Sequence, residues 1–210
     1  MYATHARHSH ARLAVRVLAV ALLGFFTARA SAQAPHQADA DGVLQFAKAA
    51  EDYAFLHRQL ERRLPPVVVN ANPESIRRAI DDMAAAIRAA RPEARQGDLF
   101  NPAVQAAIRV RIARSLGSHG FTPADVQEVE LTAGIDSAAV TLRVNGTFPW
   151  ALGTAMFPCV LEALPPLPPE LQYRLVGRDL LLIDVHASLI VDILPLALGD
   201  TSTALWPAVY

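Results

Sequence analysis

The residues best suited to chemistry are Asp184 and His186, which close the run Asp179-Leu180-Leu181-Leu182-Ile183-Asp184-Val185-His186. If that run is a β-strand, alternation puts Asp184 and His186 on one face and Leu181, Ile183 and Val185 on the other. A carboxylate and an imidazole two residues apart can ligate a divalent metal, or the carboxylate can orient the histidine as a general base. A catalytic metal site needs a third ligand, for which Asp192, His57 and Glu61 are the nearest candidates. The plainer expectation is a strand-end pair hydrogen-bonded to a neighbouring loop. Asp192 stands alone in the apolar stretch Leu189-Ile190-Val191-Asp192-Ile193-Leu194. Burying a lone carboxylate costs several kcal/mol unless it is paired or protonated, so Arg174 or Arg178 is predicted to pair with it as part of the architecture.

Tyr53, His57 and Glu61 follow one another at four-residue steps, one helical turn each. They would form a small polar cluster at one end of an apolar stripe, and a histidine in such a stripe reads first as a core residue. The single cysteine, Cys159, excludes an intramolecular disulfide framework. Wedged between Pro158 and Val160, it reads as a small buried hydrophobe, with a reactive thiol or an intermolecular bridge as the alternative. Pro165/Pro168 and Pro166/Pro169 give two overlapping P-x-x-P frames, which read as a rigid connector between structured segments rather than as a groove ligand. The chain has no G-x-S-x-G, Walker A, H-E-x-x-H, C-x-x-C or EF-hand pattern, and the familiar enzyme readings lose support accordingly.

These residues need a scaffold, and the composition supplies one: 210 residues, 52% hydrophobic and 19% charged, describe a globular protein and exclude disorder throughout. A formal net charge of −1 without a basic block removes the electrostatic footprint of a nucleic-acid binder. Lys48 is the only lysine among nineteen basic residues, which marks compositional bias rather than an anion site.

Hydrophobic periodicity predicts a helix over 43–64, with Phe46, Ala50, Tyr53, His57 and Leu60 on one stripe and Pro65-Pro66 as its stop. After an extended Val67-Val68-Val69, Asn72-Pro73 caps and opens a second helix over 73–90, and Asn101-Pro102 a third over 102–116, closed by Gly117. Thr122-Pro123-Ala124-Asp125 starts a short fourth. Alternation from Ala138 to Val144, followed by Asn145-Gly146, predicts a type I′ hairpin over 138–150. Pro158 to Leu164 reads as one helical stretch. A second hairpin over 171–185 turns at Gly177-Arg178 in the type II′ manner, so that Leu171 faces Asp184 and Tyr173 faces Leu182. Leu189 to Leu194 is a short helix or a buried strand. The resulting expectation is an α+β domain over 43–210, a helical N-terminal half packed on a small antiparallel sheet of two β-hairpins.

The N-terminus reads as targeting sequence. Arg7, Arg12 and Arg16 precede the apolar run Val17–Ala28, which meets Ala30-Ser31-Ala32, the order of a secretory signal peptide over 1–32 with cleavage after Ala32. The run is short against the ~20 residues a membrane span requires. Cleavage removes Arg7, Arg12, Arg16 and Arg29 and no acid, taking the formal charge from −1 to −5. Residues 33–42 read as a flexible leader.

The segment from Leu171 through Tyr173, Gly177, Arg178, Asp184 and His186 to Ile190-Val191-Asp192-Ile193-Leu194-Pro195 resembles the C-terminal signature of small exported bacterial proteins that carry no assigned activity. The resemblance implies a signal peptide and a shared fold and brings no catalytic residue with it. Two readings of function follow. The first is a periplasmic or secreted, non-catalytic protein that binds a protein partner or small ligand, without cofactor and with membrane contact only through an uncleaved signal peptide. The second is a metal-assisted hydrolase using Asp184 and His186, with Asp192 as a possible third group and a divalent metal as its only cofactor.

Overall fold

The computed structural model describes residues 37, 39–66, 72–132 (backbone only at 129–132), 141–152 and 156–199. The predicted signal peptide, the first residues of the leader, Val67-Val68-Val69 and residues 138–140 of the first predicted hairpin lie outside them.

The first helix, α1, covers residues 39–61. It buries Phe46, Ala50, Tyr53, Ala54, His57 and Leu60 along one stripe, while Leu44 and Phe55 stay exposed on the other side. Its start corrects the leader reading, because residues 39–42 are helical. A Cβ at Gly42 would lie 2.9 Å from Ala107 Cβ and 3.0 Å from the Ala103 carbonyl oxygen, so only glycine permits this approach to the third helix. The helix α2, Pro73–Ala90, begins with Asn72 accepting from the Glu74 N–H at 3.0 Å and Pro73 in the first turn. Asn101 caps α3, Pro102–Ser118, through the Ala103 and Val104 N–H groups. This helix runs past Gly117, and the left-handed residue that follows it is Gly120, at φ 73°. Thr122 and Asp125 cap each other at the start of α4, Pro123–Thr132. A 3-10 turn, Trp150–Leu152, and the short α5, Pro158–Ala163, follow.

Strands β1 (Leu171–Val176), β2 (Asp179–Asp184) and β3 (Leu189–Leu194) form one antiparallel sheet in the order β1-β2-β3. The chain is therefore mixed α+β. Leu171 pairs with Asp184 and Tyr173 with Leu182 across the Gly177 turn, where Gly177 has φ 61°. The central strand is buried on both faces, which is why its apolar run is nearly continuous rather than alternating. One face, with Leu175, Leu180, Leu182, Leu189 and Val191, shares a core with Phe46, Phe100, Ile108 and Cys159. The other, with Leu181, Ile183, Ile190 and Ile193, packs under Phe148.

The predicted hairpin over 138–150 is not what the described residues form. A tight turn closes with the Gly146 N–H donating to the Arg143 carbonyl, but Asn145 alone takes positive φ, at 61°, so the turn is not type I′. Instead of folding back on 141–144, the chain runs beside β3: Asn145 and Gly146 exchange backbone hydrogen bonds with Ile190, Thr147 bridges Leu189, and Phe148 donates to Ser188. Arg88 Nε and the Arg91 carbonyl hold Asn145 against the end of α2. The sheet's third member is thus β3, with residues 145–148 alongside it, in place of two separate hairpins.

A β-bulge opens between Leu182 and Ile183, opposite Asp192 and Ile190, and leaves Val191 as the extra residue. It sets Asp192 opposite Leu182, on the helix-facing side. The proline segment is a connector: Pro165 and Pro168 are buried, and the Tyr173 hydroxyl donates to the Pro165 carbonyl at 3.1 Å.

Candidate functional site

Strand β2 ends at Asp184, and residues 185–188 turn the chain into β3. The turn is held by the Asp184 side chain, whose Oδ1 accepts from the His186 N–H at 3.0 Å and the Ala187 N–H at 2.9 Å. Its Oδ2 faces α1, accepting from the Tyr53 hydroxyl at 2.9 Å and lying 2.6 Å from His57 Nδ1. Both oxygens are therefore occupied by groups of the protein. Arg58 fastens the same junction from the next position on α1, with Nη1 2.9 Å from Glu170 Oε1, while the Glu170 carbonyl accepts from the Val185 N–H.

His57 and Asp184 are completely buried. Burial opposes protonation of His57, but the hydrogen bond and negative charge of Asp184, with smaller help from Glu61 and Glu170, outweigh it and raise its pKa. Burial, the charge of Asp184 and the hydrogen bond to it push the Tyr53 hydroxyl far above the usual tyrosine range, so it remains a donor. Arg91 lies over the Tyr53 ring, 5.2 Å from its centroid.

With Nδ1 turned to Asp184, His57 presents Nε2 to the outside of the junction, 3.2 Å from His186 Nδ1. His186 Nδ1 is in turn 3.7 Å from Glu61 Oε1. The side chains of His186 and Glu61 are about half exposed, at 51% and 54%. These three residues converge from a buried helix position, the next turn of that helix and the β2–β3 turn. Glu61 and His186 stand at the polar end of a cleft of about 1010 Å³ between the end of α1 and α2, with His57 buried behind them; Leu64, Ile76, Ala79 and Met83 are its apolar lining and Arg62, Arg78 and Asp82 further charged lining.

The sequence-derived candidates fare unequally. Asp184 and His186 are brought together, but not as two ligands on one strand face: the strand stops at Asp184, whose carboxylate caps the turn and holds His57. Asp192 lies away from this junction. Its oxygens accept from Gly97 N–H at 2.8 Å, Leu99 N–H at 2.7 Å, Phe100 N–H at 2.8 Å and Ile193 N–H at 2.7 Å. The backbone of the loop before α3 thus stands in place of the predicted arginine partner, and Arg174 lies over the Trp150 ring at 5.7 Å. Cys159 is a buried free thiol in the core. His57 and Glu61 enter the sequence reading only as third-ligand candidates and as a core cluster. The signal that points to them is the i, i+4, i+8 series of Tyr53, His57 and Glu61 on one helix stripe.

Among the described residues no helix is long and apolar enough to cross a membrane. The chain matches no protein-family model, no curated protein and no solved structure.

Proposed function

We propose that this is an exported, periplasmic or secreted protein whose task is to bind a small ligand in the cleft between the end of α1 and α2. The observation that carries the reading is the cleft itself: about 1010 Å³ in volume, apolar along Leu64, Ile76 and Met83, and headed by His186 and Glu61. A concave, largely apolar site with a few convergent polar groups is the usual form of a small-molecule site. Export rests on the order of basic, apolar and small residues over 1–32. The acidic balance after cleavage and the lack of a basic block favour a ligand other than nucleic acid.

A metabolite library read by thermal shift tests the binding. Ile76 is partly exposed on the cleft wall, so Ile76→Arg fills the cleft with little loss of core packing. Ligands that raise the melting temperature of the wild type and not of Ile76→Arg support the reading; no such ligand overturns it.

A second reading, metal-assisted hydrolysis, is favoured by the convergence of His57, Glu61 and His186. It keeps His186, moves Asp184 behind His57, and leaves out Asp192. It depends on metal occupancy of that cluster.

A further inference from the structure

We infer that His57 Nε2, His186 Nδ1 and a Glu61 carboxylate oxygen bind one divalent transition-metal ion, of the zinc class, at the head of the cleft. The inference deepens the binding reading by naming what the cleft's polar end takes.

Geometry is the first support. One ligand atom from each residue falls within 4.8 Å of the other two. Zinc–nitrogen distances of about 2.0–2.1 Å in a tetrahedral site place two ligand atoms about 3.3–3.4 Å apart. The His57–His186 nitrogen pair is at 3.2 Å and the His186–Glu61 pair at 3.7 Å. The wider of these two separations lies between two half-exposed side chains, whereas the closer one includes the buried, fixed His57.

The support behind the ligands is independent of those distances. A metal-binding histidine typically gives its other ring nitrogen to a carboxylate or a carbonyl, which fixes the tautomer and aims the lone pair. Asp184 stands to His57 in that relation at 2.6 Å, and is itself fixed by Tyr53 and two backbone N–H groups. The neutral imidazole that donates from Nδ1 has its Nε2 lone pair directed at His186 and Glu61.

Two imidazoles and one carboxylate suit zinc and related borderline ions, whereas magnesium prefers oxygen donors and keeps its water. Three protein ligands leave a fourth position, and here it opens to the cleft, where water or an anionic end of a ligand completes the coordination. Asp184 is a positioning residue in this arrangement, acting through His57.

The test is calorimetric titration of zinc into the purified, untagged, EDTA-treated chain, in a background carrying His5→Ala, His8→Ala and His10→Ala so that N-terminal imidazoles do not bind. The expected result is one zinc per chain, affinity reduced at least tenfold in both His186→Ala and Glu61→Ala, and no change in His119→Ala, which alters an exposed histidine elsewhere. Glu61 and His186 are half exposed, so both variants keep the fold. Asp184→Asn reduces affinity by about 10–100-fold and shifts the visible absorption of the cobalt-substituted protein, a change that loss of stability alone does not produce. Zinc bound below one per chain, or affinity unchanged when Glu61 and His186 are both alanine, overturns the inference. The same titration on Ile76→Arg separates the two claims: zinc retained while cleft ligands are lost leaves the metal site standing, and cleft ligands bound by a chain that takes no zinc leaves only the cleft.

Discussion

Asp184 Oδ2 and His57 Nδ1, 127 residues apart in the sequence, lie 2.6 Å apart with no exposed surface on either side chain. The pair joins the end of the central strand to the C-terminal part of α1, and it decides which ring nitrogen of His57 faces His186. If His57 turned away, the buried Asp184 Oδ2 would keep only the Tyr53 hydroxyl of its two partners, so Nε2 is held toward His186.

This relationship sets the first prediction. Asp184→Ala strands His57, the Tyr53 hydroxyl and the His186 and Ala187 N–H groups together, and breaking a buried ionic or hydrogen-bonded cluster from one side costs about 3–5 kcal/mol. Tyr53→Phe removes a single neutral donor while keeping the ring, and costs about 1 kcal/mol. Urea unfolding of the two variants gives the ratio. Equal losses would show that Asp184 is not the hub of the cluster.

Asp192 offers a contrast of the same residue type. It serves the 97–100 loop through backbone N–H groups and touches neither His57 nor the cleft. Asp192→Ala is therefore expected to lower stability by about 2–4 kcal/mol, as several charge-assisted hydrogen bonds vanish. Zinc affinity of the still-folded fraction is expected to stay unchanged. A loss of zinc binding larger than that of Glu61→Ala would place Asp192 in the site after all.

Gly146 tests the corrected turn. A Cβ there would meet the Arg143 carbonyl oxygen at 2.8 Å, and that oxygen accepts the Gly146 N–H. Gly146→Ala must open the turn and pull Asn145 and Gly146 from Ile190, with an expected loss of about 1–3 kcal/mol. Hydrogen exchange of the Ile190 amide, which donates to the Gly146 carbonyl, should quicken more than that of the Leu182 amide in the sheet centre. Unchanged Ile190 protection would mean that the turn does not hold this edge.

What the sequence made legible was local. Asn72-Pro73 and Asn101-Pro102 start helices because cap and first-turn geometry depend on neighbours, and the Gly177 turn fixes the β1–β2 register by counting outward from it. Asn145-Gly146 misleads because the turn signal is genuine while its partner is Ile190, a distant segment that no local pattern names. Leu189–Leu194 stays ambiguous in sequence because a bulge at Val191 and loop amides around Asp192 allow a carboxylate inside an apolar strand. For the site, the polar residues are visible as types, but the joining of His57 to Asp184 is tertiary, and the alternation rule that paired Asp184 with His186 fails because the strand ends at Asp184, two residues before His186.

The raised pKa of His57 gives the metal-free protein a defined pH response. A group whose pKa is higher folded than unfolded binds its proton more tightly in the folded state. Its contribution to stability is complete below the unfolded value of about 6.5 and is lost as pH rises through the higher folded value. In EDTA, the unfolding midpoint in urea is expected to fall from about pH 6 toward alkaline pH. Asp184 is the source of both the hydrogen bond and the nearest negative charge that favour the imidazolium, so Asp184→Asn should flatten the profile as well as lower it. Glu61→Gln removes a weaker influence and should leave most of the slope. Wild-type and Asp184→Asn profiles that run parallel across this range would mean that Asp184 does not hold the proton on His57.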